Sequence, residues 1–427
     1  MYGAALTDTS FQTAPDLLVT PGLALGDREL PDVTLVILNL NGLRHLQGCF
    51  DSVKSLRYPA GKLDTILVDN GSDDGSVAEV TTRWPWVRVV SNDHNAGFAG
   101  GCNQGARLRR GGTVLAFVNN DVRVHEDWLR ELVQPIVRGE CVATTSKMLS
   151  WDGSLIDSAG GGMNFHGFGL QYGYKDVPAA QHDVPRRTLF ACGGAMAVDA
   201  QVFEDCGGFD PEFFAYYEDV DLGWRLWVLG HEVHYVPSSV CWHHHHGTSD
   251  RLPTKTVRLI QVRNPLLACF KNYDDDHLRQ VLPVALALLI RRAGLASGIE
   301  GDTSFRIEHA RPVERSPLAT IAQRAVARVL GRSTALHGQT TVSSIGVADL
   351  IAANDLLGRW PHWLQRRADV QARRRRPDRE IFRLFLRPLW CIEADPSYRA
   401  LFDGASDLFG LRGLFDGMTT MPEDPKH

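Results

Sequence analysis

The sequence predicts an α/β protein, with a mostly parallel sheet covered by helices on both faces and a mainly α-helical region after it. Three observations carry this expectation. Apolar runs alternate with stretches of helical periodicity through the first half of the chain; several of those runs end in polar residues; and beyond about residue 255 the pattern turns helical and rich in arginine. Strands buried on both faces read as continuous apolar runs, as a parallel sheet between helices requires.

Taken in order, "VTLVILNLN" (33–41) is an apolar β-run, and Leu46, Phe50, Val53 and Leu56 then recur at three- and four-residue steps, which predicts a helix. "DTILVDNGS" (64–72) predicts a second strand, with a helix near 75–83. "VRVVSN" (87–92), a helix near 98–109 and "TVLAFVNND" (113–121) continue the alternation, and "AMAVD" (195–199) reads as another buried strand. "YYEDVDLGWRLWVLG" is a helix opened by acidic residues and closed by Gly230, with Asp221 and Arg225 spaced to pair. The predicted organisation is an N-terminal arm (1–30), a catalytic α/β domain (31–255) and a basic helical region (256–427).

With 427 residues, 44% of them apolar, the chain can bury a large core. Its eight cysteines show no CxxC pair, which excludes a disulfide scaffold and fits a reducing compartment. The first ~30 residues lack a cationic segment ahead of an apolar one, so no secretory signal is expected. The apolar run "VLPVALALLI" is half of the ~20 residues a membrane-spanning helix needs. A cytoplasmic location is expected, with attachment to the inner face of the plasma membrane left open. The net charge of −5 hides an asymmetry: residues 1–250 hold 18 Lys and Arg against 31 Asp and Glu, and residues 251–427 hold 27 against 19. Arginine-rich amphipathic helices can lie on an anionic membrane, or pack on the catalytic domain or a second copy of the chain; both readings stay open, and a homodimer is one form of the second. No nucleic-acid motif accompanies the charge, and no nucleic-acid partner is expected.

Polar residues at three strand ends (Asn39 and Asn41, Asp69 and Asn70, Asn119 to Asp121) would converge on one crevice, although such residues also end strands simply as turn formers. Together "VILNLNG", "ILVDNGSDDGS", "NAGFAGGCNQG", "FVNNDV" and "GGFDPEFFAYYEDVDLGWRL" resemble, in order and spacing, the family-2 inverting glycosyltransferases of the GT-A fold, the Rossmann-like nucleotide-diphospho-sugar transferase fold. The likeness covers roughly residues 32–250 and is strongest to bacterial rhamnosyltransferase-type members.

The resemblance implies that Asp69 accepts a hydrogen bond from a pyrimidine ring N–H, with Asn39, Asn41 and Asn70 near base and ribose. Asn95, Asn103, Asn119 and Asn120 would border the donor. It places Asp121 at a divalent-cation site for Mn²⁺ or Mg²⁺, with Asn119 replacing the carboxylate of the fuller Asp-x-Asp signature. Asp219 matches the catalytic base. Cys192, Gly193, Gly194 and Glu218 would lie on the acceptor side.

Four histidines run from 243 to 246, and relatives carry a metal-ligating histidine near this place; His243 or His244 is the expected ligand. Successive side chains of an extended segment face opposite ways, so the four cannot all chelate one zinc ion. The expected reaction moves a sugar from dTDP-rhamnose or a UDP-hexose to a hydroxyl of a glycan or lipid-linked acceptor in cell-surface polysaccharide synthesis. The rivals are a sugar nucleotidyltransferase, whose glycine/arginine/lysine loop is missing, and a silent nucleotide-sugar-binding scaffold, which Asn119 keeps open.

Overall fold

The structure is a computed structural model that describes residues 17–244, 254–297 and 344–416. His245, His246 and the arginine-bearing stretch 318–331 lie outside the described residues. The first half alternates as expected: β1 (Val33–Asn39), α1 (Leu43–Lys54), β2 (Leu63–Asp69), α2 (Ser76–Arg83), β3 (Arg88–Ser91), α3 (Gly97–Arg107) and β4 (Val114–Asn119). β1 pairs in parallel with both β2 and β4, and β2 with β3. Residues alternate across these strands. Leu35 and Ile37 join one core with Leu46 and Phe50 of α1, while Val36 joins the other with Ala99 and Cys102 of α3. The register sets Asn39 beside Asp69, and Leu38 beside Asn119, so the polar strand ends align along one edge.

Beyond β4 the chain forms β5 (Val122–Val124), α4 (Trp128–Val137), β6 (Ala143–Ser150), β7 (Ile156–Ser158), the glycine-rich hairpin β8 (Gly161–Met163) and β9 (Gly169–Gln171), and β10 (Arg186–Arg187). There follow β11 (Ala195–Asp199), α5 (Ala200–Asp205), α6 (Glu218–Val228) and β12 (Val233–His243). β11 inserts antiparallel between β4 and β6, and β12 lies parallel to β6. The sheet is therefore mixed. A register shift between Val236 and Val240 carries the end of β12 across to β5, where His243 faces Val122.

The back of the chain begins with α7 (Thr254–Asn272) and α8 (Asp275–Ala296), followed by helices at Ser344–Gly358, Trp360–Gln371 and Pro396–Leu408. No described helix is long and apolar enough to cross a membrane. These helices share a continuous core with one face of the sheet, from Val36 and Phe117 through Trp224 to Leu266, Tyr273, Phe385 and Phe402. Many of the arginines are engaged internally: Arg258 pairs with Asp349, Arg263 with Asp355, Arg292 with Glu393, Arg367 with Asp275 and Arg374 with Asp378. These pairs tie the back helices to one another, and it is the shared core that packs them on the sheet.

Candidate active site

A crevice of about 1130 Å³ opens at the carboxyl ends of β1, β2 and β4. Asn41, Asn70, Asn95, Asn119, Asn120, Asp121, Cys192, Gly193, Gly194, Glu218, Asp219 and His243 all line it. Its far wall comes from the first turns of α7, where Thr254, Val257, Arg258, Gln261 and Val262 share one helical face, and from Arg292 of α8.

Asp219 is the second residue of α6. Its carboxylate accepts from the backbone N–H of Gly193 (3.0 Å) and of Val220 (2.8 Å), so the glycine pair ahead of β11 orients it directly. Burial raises its pKa above the ordinary aspartate value, against those N–H bonds. Burial likewise pushes the neighbouring Glu218 well up, reinforced by the charges of Asp219 and Asp221, and Glu218 Oε2 has no hydrogen-bond partner among the described residues. Two sides of the first turn of α6 thus carry different roles. Asp221 faces inward to Arg225 (2.7 Å) and Lys271 (2.9 Å), whose charges overcome its burial and hold its pKa down. The expected Asp221–Arg225 pair is present.

Across the crevice, Asp121 Oδ1 lies 3.4 Å from His243 Nε2, and His243 Nδ1 lies 2.7 Å from Asp157 Oδ2. Burial alone would lower the imidazole pKa, but hydrogen bonds to both carboxylates and their charges raise it to about 10. Asp157 sits on β7, and nothing in its local sequence marked it. His244 turns the other way: its ring stacks on Trp151 at 4.0 Å, and only its backbone N–H reaches the Asp121 carbonyl (2.9 Å). Of the two expected ligands, the strand's alternation therefore brings His243 to Asp121 and removes His244.

Three further expected residues, Asp69, Asn39 and Asn103, lie behind the lining of the crevice. Asp69 is buried below the crevice wall, and its oxygens accept from the Asn39 amide (2.8 Å), the Ser72 N–H (2.9 Å) and the Ser72 hydroxyl (2.6 Å). Asn39 bridges onward, accepting from the Asn120 amide at 2.6 Å. Asp69 and Asn39 thus form a buried brace that ties three strand ends together. Asn103 is buried on α3 and closes both bonds with the backbone of Phe209 (2.7 and 3.0 Å), fixing the approach to α6. The residues that do face the crevice on this side are Asn41, at φ +52°, and Asn70, which donates to Asn95 Oδ1 (3.2 Å) and the Gly97 carbonyl (3.0 Å). Asn92, which donates to Asn70 (3.0 Å), and Ser72 completed this network without any sequence signal beyond their being polar.

Residues 34–206 match the family Glycosyl transferase family 2. Among curated proteins, the chain is 26% identical over 250 residues to N-acetylgalactosaminyltransferase 6 of Drosophila melanogaster, covering 53% of this chain and 36% of that one. It is 28% identical over 238 residues to the O-antigen biosynthesis protein RfbC of Myxococcus xanthus, covering 53% of this chain and 18% of that one. The chain therefore spans well under half the length of these relatives. Among solved structures, GalNAc-T7 with UDP, GalNAc and Mn²⁺ aligns with a TM-score of 0.49 at 20% identity, covering 61% of this chain and 52% of the other. The mannosyltransferase PcManGT of Pyrobaculum calidifontis, in complex with GDP-Man and Mn²⁺, aligns with a TM-score of 0.44 at 17% identity, covering 77% and 88%. The match to this family takes in the crevice residues from Asn41 to Gly194, while Glu218, Asp219 and His243 follow it in the chain.

Proposed function

We propose that this chain is a metal-dependent inverting glycosyltransferase that moves a sugar from a pyrimidine nucleotide diphosphate, dTDP-rhamnose or a UDP-hexose, to a hydroxyl of a glycan or lipid-linked acceptor. The observation that carries the reading is that Asp219, Asp121 and His243 line one crevice within and beside a family 2 domain. A relative named for O-antigen biosynthesis supports a role in cell-surface polysaccharide synthesis.

The donor set at Asp121 fits a divalent cation. Asp121 offers a hard oxygen and His243 an imidazole nitrogen, while Asp157 holds the other ring nitrogen as outer carboxylates do for metal-bound histidines. A cation held there would neutralise the charge that builds on a departing diphosphate. The protein's own groups do the rest. Asn41 offers its amide to the nucleoside, with Asn70 fixing the Gly97 turn and Asp69 and Asn39 keeping the strand ends in line. Asp219 removes the proton of the acceptor hydroxyl as that oxygen attacks the anomeric carbon, and a single displacement inverts the centre. Glu218 Oε2, lacking a protein partner, is available to a second acceptor group.

The test pairs donor binding with transfer. UDP-, dTDP- and GDP-sugars are titrated with Mn²⁺, Mg²⁺ or chelator, and one pyrimidine class should bind in a metal-dependent way. Asp219→Asn should keep donor affinity within about twofold and lose transfer by about 10²–10⁴-fold, the range of a general base. Substantial transfer by this variant removes Asp219 from the role, and failure of every donor to bind favours a silent scaffold.

A further inference from the structure

The stretch between Asp210 and α6 is held in an uncommon backbone shape. Phe214, Tyr216 and Tyr217 all have positive φ (61°, 63° and 69°), a region that non-glycine residues seldom enter. At Phe214 (φ 61°, ψ −65°) the Ala215 N–H donates to the Phe213 carbonyl at 2.7 Å, which makes a strained left-handed γ-turn. Tyr217 then opens α6 with no side-chain cap, one residue before Glu218 and two before Asp219. Such a path persists only when its surroundings over-determine it.

Four consecutive carbonyls of this turn are held from outside. Phe214 O accepts from the Ala99 N–H of α3 (3.2 Å), and a Cβ on Gly97 would come within 2.4 Å of the same oxygen. The other three converge on one side chain. Asn264 of α7, fully buried, donates through Nδ2 to the carbonyls of Phe213 (2.9 Å), Ala215 (3.1 Å) and Tyr216 (2.7 Å). Its Oδ1 accepts from Arg263 (3.2 Å), and Arg263 also donates to the Glu212 carbonyl (2.7 Å). An amide group has two N–H bonds, so three acceptors leave it no freedom to turn.

We propose that Asn264 is a positioning residue for catalysis: by clamping residues 213–216 it fixes where α6 begins, and so where the Asp219 carboxylate stands in the crevice. The helical region is then a working part of the active site, acting through one amide on α7. The proposal rests on Asp219 being the base, as set out above.

Asn264→Ala deletes the donors, and Asn264→Asp keeps the shape while turning a carboxylate toward three carbonyls. Each variant is read in the full-length protein by amide hydrogen exchange across 213–221 and by steady-state transfer. The expected result is at least tenfold faster exchange in that stretch with β1 and β4 unchanged. With it, kcat falls at least tenfold while the donor KM stays within about twofold. Leu411→Ala, in a buried position of the last described helix, should lower Tm and leave kcat unchanged. Unchanged exchange at 213–221 overturns the clamp whatever the protein transfers. Faster exchange with unchanged kcat, or with donor KM and kcat lost together, overturns the positioning role. If the wild-type protein transfers from no donor while the variants still loosen the turn, the proposed function fails and the clamp stands.

Discussion

Glu218 and Asp219 are adjacent carboxyls that bury on the same crevice wall, and burial raises the pKa of each. A carboxyl whose pKa is higher folded than unfolded binds its proton more tightly in the native state. Its favourable contribution is fully present below the unfolded pKa of about 4.3 and is lost as pH rises through the folded value. Glutamine at 218 cannot ionise, so the Tm of Glu218→Gln relative to wild type should climb steadily between pH 4 and pH 8. Scanning calorimetry across that range checks it; a constant offset would show that Glu218 ionises as freely folded as unfolded. At this scale the sequence was informative where a short motif fixes its own geometry, as at Asp121, Asp219 and His243. It could not tell that Asp69, Asn39 and Asn103 stand behind the crevice lining, because a strand-end or helical polar residue looks the same whether it lines a crevice or braces the backbone beneath. It missed Asp157 and Asn264 because each acquires its role only through a distant pairing, β7 with β6 in one case and α7 against α6 in the other.

The helices α6 and α7 are joined by a buried ionic cluster. Lys271 lies 2.6 Å from Asp210 and 2.9 Å from Asp221, Arg225 lies 2.7 Å from Asp221, and Arg366 reaches Asp210 at 2.6 Å. Lys271 and both carboxylates are almost wholly excluded from water. Removing Lys271 strips one charged partner from each buried carboxylate and leaves each with a single arginine, at a typical loss of about 1–3 kcal/mol. Lys271→Met should therefore destabilise the protein by about that amount in urea unfolding. Arg279→Ala should do almost nothing, since its partner Asp276 is exposed; equal effects from the two would mean the cluster carries no special weight. Elements were legible where periodicity is strong. The alternation from β1 to β4 and the helix after Tyr217 follow from apolar spacing alone. The antiparallel insertion of β11 was not legible, because "AMAVD" is as apolar as its parallel neighbours and the direction of a strand depends on the connections that deliver it.

Across the whole molecule, the acidic front and the basic back are joined in one physical unit. Most of the described arginines of the back are paired with carboxylates, some on the back helices and some on the sheet-bearing half, as with Arg359 and Glu212 at 2.8 Å. The core on one face of the sheet continues without a break from Val36 to Phe415. Charge patterning alone could not show this, since the same arginines would serve a membrane face equally well. A shared core of this kind unfolds cooperatively, because neither part can expose its half of the interface without losing apolar burial worth about 25 cal/mol per Å². Urea unfolding should accordingly give one transition, coincident for tryptophan fluorescence and far-UV circular dichroism. A fragment ending at residue 255 would leave the α6 face, with Trp224 and its neighbours, open to water. That fragment should bind a hydrophobic dye and lose its cooperative transition. A fragment that instead melts sharply and still transfers sugar at the full rate would separate the sheet layer from the helices, and Asn264 could then have no part in setting Asp219.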